Sequence, residues 1–215
     1  MKIQLALDRL TIPEAIRLTR LVESDIDWIE VGTSLIKEFG MESVREIKKA
    51  FPHKTILADT KTMDNAKYEG EISFTAGADI ITVMGNAPKV TIETCLEMAR
   101  IHQKRVMIDL LNTSSEQLKS LLTMKDAIFC LHISKDEQEL SGKNEWKNNE
   151  IPATDRAPSH TIAAAGGITI DSLPKLLAGG IDIAIIGSAI TKAANPSEAA
   201  KQFKQLAKGG VIINE

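Results

Sequence analysis

Thr55-Ile56-Leu57-Ala58-Asp59-Thr60-Lys61-Thr62-Met63-Asp64 passes from apolar to charged within one short stretch. Residues 55–58 suit a buried strand, and where that run stops the chain places a carboxylate, an ammonium and a second carboxylate. Side chains alternate faces along extended chain, so a strand that persists through Lys61 sends Asp59 and Lys61 to the same side. Asp64 falls beyond the strand and opens the helix that begins near Asn65. Taken alone, the cluster also suits a strand-end ion pair followed by an Asp N-cap. The segments on either side decide between these readings.

Outward from this strand, the same pattern repeats in both directions. Ile3–Leu7 ends at Asp8, and Thr11-Ile12-Pro13-Glu14 supplies an N-cap, an early proline and a capping-box Glu for a helix to about Val22. Trp28–Val31 runs into Gly32-Thr33-Ser34, followed by a helix over Glu42–Ala50. Ala66–Ala76 follows the opening strand. Ile80–Met84 stops at Gly85 and precedes a helix from Val90 to Ile101. Val106–Ile108 delivers Asp109, and a short helix over Glu116–Leu122 leads to Ile128–Leu131, which delivers His132. Thr161–Ala164 enters Ala165-Gly166-Gly167-Ile168, then a helix over Ile170–Leu177. Ile183–Ile186 enters Gly187-Ser188-Ala189-Ile190, and Pro196–Leu206 makes the last helix.

Continuous apolar strands mean a sheet buried on both faces, hence parallel. Eight of them alternating with helices exceed the usual open doubly wound sheet, so the expected fold is α/β, a single-domain (β/α)8 TIM barrel over residues 1–215. Asp27, Asp79, Asp126 and Asp182 each stand just before a strand, as a quasi-repeat would place them. Segment 141–160 lacks helical periodicity; the sixth helix is expected to be short or irregular, with Trp146 pinning its loop.

The 215 residues fit one barrel, and 43% hydrophobic content with only 4% aromatic gives a core of Ile, Leu, Val, Ala and Met. A net charge of −3 gives no broad basic surface, so neither nucleic acid nor an acidic membrane is an expected partner. No apolar run approaches the ~18 residues of a spanning helix, and the N-terminus carries charge too soon for a signal-peptide core. Cys95 and Cys130 lie in apolar patterns without CxxC spacing, as reduced, buried thiols of a cytoplasmic protein do.

A barrel gathers the C-terminal ends of its strands at one mouth. There the sequence places Asp8, Glu30, Asp59 with Lys61, Gly85, Asp109, His132, Gly166-Gly167 and Gly187-Ser188. Burying so many charges together is unfavourable unless a cation or substrate compensates them. Glu30 and Asp59, on adjacent strands, offer two oxygens to a Mg2+ that takes its remaining ligands from water and substrate; alternatively Glu30 pairs with Lys61 and no metal is needed. Lys61 among carboxylates stays protonated, as an electrostatic clamp or proton donor rather than a Schiff-base nucleophile. His132 is a candidate acid or base. Asp8 and Asp109 bind sugar hydroxyls or cap loops. Gly166-Gly167 and Gly187-Ser188 follow strands seven and eight, where barrels hold phosphate on backbone N–H groups.

Taken together, Gln4-Leu5-Ala6-Leu7-Asp8, Ile29-Glu30-Val31-Gly32-Thr33, Leu57 to Asp64, Gly77-Ala78-Asp79-Ile80-Ile81-Thr82-Val83, Ala165-Gly166-Gly167-Ile168 and Gly187-Ser188-Ala189-Ile190 resemble the orotidine-phosphate-decarboxylase-like barrels. Within them the similarity is to the group holding 3-hexulose-6-phosphate synthase and 3-keto-L-gulonate-6-phosphate decarboxylase. The resemblance implies a homodimer with sites at the interface, Asp64 reaching the neighbouring subunit's site, Mg2+ on Glu30 and Asp59, and a cis-enediolate made from a sugar phosphate. Decarboxylases of the group typically carry Glu, Arg and Thr where this chain has Asp109, Lys135 and Ala165; Asp109 and Ala165 are synthase-like, whereas Lys135 fits neither pattern. Ile133-Ser134 after His132, Asn65-Ala66 after the Asp-x-Lys-x-x-Asp motif, and segment 141–160 depart from the group.

The expected function is therefore Mg2+-dependent condensation of formaldehyde with D-ribulose 5-phosphate. His132 or Asp59 transfers the proton, Lys61 and Mg2+ stabilise the enediolate, and Asp8, Asp109, Lys135, Gly166, Gly167, Gly187 and Ser188 contact substrate. The alternatives are the decarboxylase and a non-catalytic sugar-phosphate-binding barrel.

Overall fold

The computed structural model describes residues 1–141, 151 and 157–210. Among these, eight parallel strands close into a barrel in sequence order: β1 (Lys2–Leu7), β2 (Trp28–Val31), β3 (Thr55–Thr62), β4 (Ile80–Met84), β5 (Arg105–Asp109), β6 (Ala127–His132), β7 (Thr161–Ala165) and β8 (Ile183–Ile186). β8 pairs back onto β1, Lys2 against Ile183 through Leu5 against Ile186. The helices between and after them are α1 (Ile12–Val22), α2 (Thr33–Phe39), α3 (Met41–Ala50), α4 (Ala66–Thr75), α5 (Lys89–Ile101), α6 (Ser115–Leu121), α7 (Lys135–Ser141), α8 (Leu173–Ala178), α9 (Ser188–Thr191) and α10 (Pro196–Ala207). The eightfold α/β barrel expected from the sequence is the observed fold.

Period-two alternation sorts the strand residues into two cores. Ile3, Leu5, Leu7, Ile29, Val31, Ile56 and Ala58 belong to the large cluster between sheet and helices. Ala6, Trp28, Leu57, Ile80, Met107, Ile128, Cys130, Ala163, Ala165, Ile183 and Ile185 form the second cluster, inside the barrel. Two residues beyond Trp28, Leu57, Met107 and Cys130 come Glu30, Asp59, Asp109 and His132, so the parity that fills the barrel's interior also delivers these four side chains to its mouth. At the other end Lys2 Nζ stands 4.7 Å over the Trp28 ring.

Three of the four aspartates that precede strands are structural. Asp27 accepts from Ile3 N, Asp79 from Ile56 N and Asp182 from Ile162 N, each at 2.8 to 2.9 Å. Each thus satisfies an N–H at the start of the preceding strand, which no earlier ladder residue can reach.

The structure differs from the sequence reading at α2, at α9 and at the cap of α4. A helix, α2, occupies 33–39, where only a strand-end turn was expected, and a single turn, α9, follows β8. The cap of α4 is Asn65 in the left-handed region, not Asp64; Asp64 Oδ1 instead accepts from Asn65 N at 2.8 Å. After β6 the chain enters α7 directly, while most of segment 141–160, including Trp146, lies outside the described residues.

Candidate active site

Asp59 ends the regular part of β3. Its Oδ2 accepts from Lys61 Nζ and from Thr33 Oγ1, both at 2.6 Å, and its Oδ1 accepts from Thr82 Oγ1 at 2.8 Å. Lys61 also lies 3.4 Å from Asp109 Oδ2. Asp109 in turn holds His132 Nδ1 at 2.8 Å and Leu111 N at 2.9 Å. One continuous network therefore joins the ends of β3, β5 and β6.

Asp59 and Lys61 do lie on one side, but not because the strand stays regular. Lys61 has φ +47°, and the β3–β4 register shifts between Ala58 and Thr62. A bulge with a left-handed residue aims the amine, where simple alternation was the expectation.

Burial disfavours the charged Lys61 amine, but the charges of Asp59 and Asp109, together with the hydrogen bond to Asp59, outweigh it and hold the amine above its ordinary value. Burial likewise pushes Asp109 up, yet the hydrogen bond and charge of His132, with Lys61, hold its carboxyl below the usual range. Asp109 is thus an ionised, acceptor-only partner, so His132 Nδ1 carries the hydrogen.

Glu30 faces a different balance. Burial first, and the Asp59 charge second, push its carboxyl up to about 8. It does not ion-pair with Lys61; its Oε2 accepts from Gln4 Nε2 at 2.5 Å, and Gln4 Oε1 is buried with no partner. Glu30 and Asp59 are neighbouring carboxyl groups, and a hard cation held between them would relieve the burial and like charge that push Glu30 up. Among the described residues no group of three or more His, Cys, Asp or Glu side chains can hold a metal. The pair fits an ion that keeps waters or takes substrate oxygens, as Mg2+ does, rather than one caged by protein alone. Cys130, buried below, has its thiol pushed well up by burial and by Asp109, and stays inert.

The remaining sequence-derived candidates lie around this cluster. Asp8 is exposed, and its Oδ1 accepts from Ser34 N and Oγ, so it caps α2. Gly32 is required beside it, since a Cβ there would stand 2.4 Å from Asp8 Oδ1. Gly166 and Gly167 have φ +98° and +62°, and a Cβ on Gly166 would meet Ile133 O at 2.2 Å. Gly187 caps α9 and Ser188 begins it. Lys135 opens α7 and is exposed. Asp64 is exposed, and its hydrogen bond among the described residues is to Asn65 N, outside the network. The sequence reading overlooked Gln4, Thr33 and Thr82. The signal for two of them was there: each is a polar residue inside an otherwise apolar strand, Ile3–Leu7 or Ile80–Met84. Surface clefts around Lys104, Arg105, Lys125 and Asp126 lie at the opposite end of the strands.

Fold and cluster together define a (β/α)8 barrel whose mouth holds a lysine between two carboxylates, one of them backed by histidine. More particularly, the chain belongs to the orotidine 5'-phosphate decarboxylase / HUMPS family, whose model matches residues 1–203. It is 38% identical over 209 residues to 3-hexulose-6-phosphate synthase of Bacillus subtilis (strain 168), covering 96% of this chain and 98% of that one. The crystal structure of 3-hexulose-6-phosphate synthase from Salmonella typhimurium superposes with a TM-score of 0.91 at 34% identity, covering 97% and 99% of the two chains. The crystal structure of 3-keto-L-gulonate-6-phosphate decarboxylase from Vibrio cholerae gives 0.85 at 25% identity, covering 98% and 99% of the two chains.

Proposed function

We propose that this chain is a 3-hexulose-6-phosphate synthase, an aldehyde-lyase that condenses formaldehyde with D-ribulose 5-phosphate. The observation that carries the reading is Lys61, held as an ammonium between Asp59 and Asp109 inside the barrel mouth. Removal of a C1 proton from the ketose places negative charge on an enediolate, and a fixed ammonium stabilises that charge without reorganising. His132 is the better-placed base, because both Asp59 oxygens already accept hydrogen bonds. C1 then attacks the formaldehyde carbon; the new C–C bond forms as the carbonyl pair moves to oxygen, which takes up a proton. Glu30 and Asp59 would hold Mg2+, which when bound supplies a Lewis acid for substrate oxygens. Gly166, Gly167, Gly187 and Ser188 suit the phosphate: the glycines let backbone approach an anion, and the first N–H groups of α9 have no acceptor within the helix.

The protein is read as a homodimer with Asp64 serving the neighbouring subunit's site. Its support is that Asp64 stands outside its own chain's network, beside the exposed apolar Met63 and Tyr68. No helix among the described residues is long and apolar enough to cross a membrane, and Cys95 and Cys130 are free and buried, as suits a cytoplasmic protein.

One residue favours decarboxylation of 3-keto-L-gulonate 6-phosphate instead: Lys135, a basic residue that opens α7 just beyond β6. The test is product formation with Mg2+ from ribulose 5-phosphate plus formaldehyde in one tube and the keto-gulonate phosphate in another. A hexulose phosphate in the first tube, lost with a chelator and restored by Mg2+, is the expected result. CO2 from the second tube alone would replace the synthase reading with the decarboxylase.

A further inference from the structure

We propose that Thr82, a buried residue of β4, positions Lys61 for charge stabilisation; this rests on the reaction proposed above. The register shows why this residue bears so much. Ala58 pairs with Ile81 and Thr62 pairs with Val83, so Asp59, Thr60 and Lys61 together stand opposite Thr82 alone. Thr82 contacts all three. Its Oγ1 donates to Asp59 Oδ1 at 2.8 Å and accepts from Lys61 N at 2.8 Å, and its carbonyl accepts from Thr60 Oγ1 at 2.7 Å.

The hydroxyl is used in both directions. One proton goes to the carboxylate and one lone pair takes the amide, so no aliphatic side chain can replace it. Both bonds bear on the amine. Lys61 has φ +47°, a region that lysine seldom adopts, and its amide is fixed there by Thr82. Asp59, the other end of the Lys61 ion pair, is turned by the same oxygen. Thr82 is 3% exposed, so water does not stand in readily for the hydroxyl. Thr82 is a positioning residue: it acts on substrate only through Asp59 and Lys61.

The experiment compares wild type, Thr82→Val, Thr82→Ala and Thr82→Ser in the ribulose 5-phosphate plus formaldehyde assay, with thermal melting of each. Val keeps the shape, Ala leaves nothing to misfit, and Ser keeps the hydroxyl. The expected result is a fall in kcat of about 10- to 100-fold for Val and Ala, as for a misplaced catalytic group, with KM for ribulose 5-phosphate within about threefold. Ser should recover to within about threefold of wild type, and backbone amide exchange at Lys61 should accelerate in whichever of the Val and Ala proteins folds. Unchanged kcat in Val or Ala, or a loss in Ser equal to theirs, would overturn the role. A silent wild type would instead overturn the reaction, and the role with it.

Discussion

At the scale of single residues, the chemistry turns on the charge of Lys61. Two carboxylates within 3.4 Å hold it protonated against the pull of burial. A lysine that must attack a carbonyl needs the opposite, a depressed value in a desolvated pocket. Borohydride added during turnover is therefore expected to trap no substrate on Lys61, as intact-protein mass would show; a reduced adduct would exclude the electrostatic role. Lys61→Ala should lower kcat about 1,000-fold or more, the scale of losing a fixed charge-stabilising group, while the far-UV spectrum stays that of a folded barrel. The charged members of this site were legible because strand ends in a barrel converge, so Glu30, Asp59, Asp109 and His132 could be collected without coordinates. Gln4 and Thr82 were not, since a single polar residue in an apolar strand has many uses. The left-handed turn at Lys61 was invisible, because nothing in Thr60-Lys61-Thr62 favours it; β4 imposes it.

Among elements, each strand is tied to its neighbours by more than its ladder. Asp79 collects Lys48 at 2.7 Å, Lys104 at 2.6 Å and the Ile56 amide at 2.9 Å, joining the entrances of β3, β4 and β5. Burial pushes this carboxyl up, but its hydrogen bonds to Lys104, Lys48 and Ile56 prevail and hold it below its ordinary value. A carboxyl lowered on folding adds stability above its unfolded value, near pH 3.9, and loses it as pH falls through the folded one. Asp79→Asn should thus cost about 1–2 kcal/mol at pH 7, a figure kept small by partial exposure, and less at pH 3. Urea unfolding of both proteins at the two pH values measures this; an equal cost at both would assign the effect to packing rather than charge. The strands themselves were readable as apolar runs of the right length. The helix α2 was not, because Gly32-Thr33-Ser34 reads as a turn, and the φ of +59° at Gly40 that separates α2 from α3 is known only from the backbone.

For the whole molecule, the decisive question is whether one chain completes a site. The Asp-x-Lys-x-x-Asp motif puts Asp59 and Lys61 into the chain's own network, but its third member, Asp64, is exposed and bonded to its neighbour's amide. Met63 and Tyr68 beside it, and Val90 on the adjacent α5, are 46%, 62% and 68% exposed, an apolar surface that a second copy would cover. If Asp64 acts across that surface, defects in Lys61 and Asp64 complement each other. Take Lys61→Ala and Asp64→Ala chains, each inactive alone, unfolded together and refolded at equal amounts. Half of the dimers are then mixed, and each mixed dimer has one site with an intact Lys61 from one chain and an intact Asp64 from the other. About a quarter of wild-type activity should return, since one site in two is whole in half of the dimers. Were Asp64 to serve its own chain, every site in every mixed dimer would carry one defect and no activity would return. Tyr68→Glu should lower the molecular mass in solution to that of one chain and abolish the regained activity with it, because the charge would have to be buried in the apolar contact.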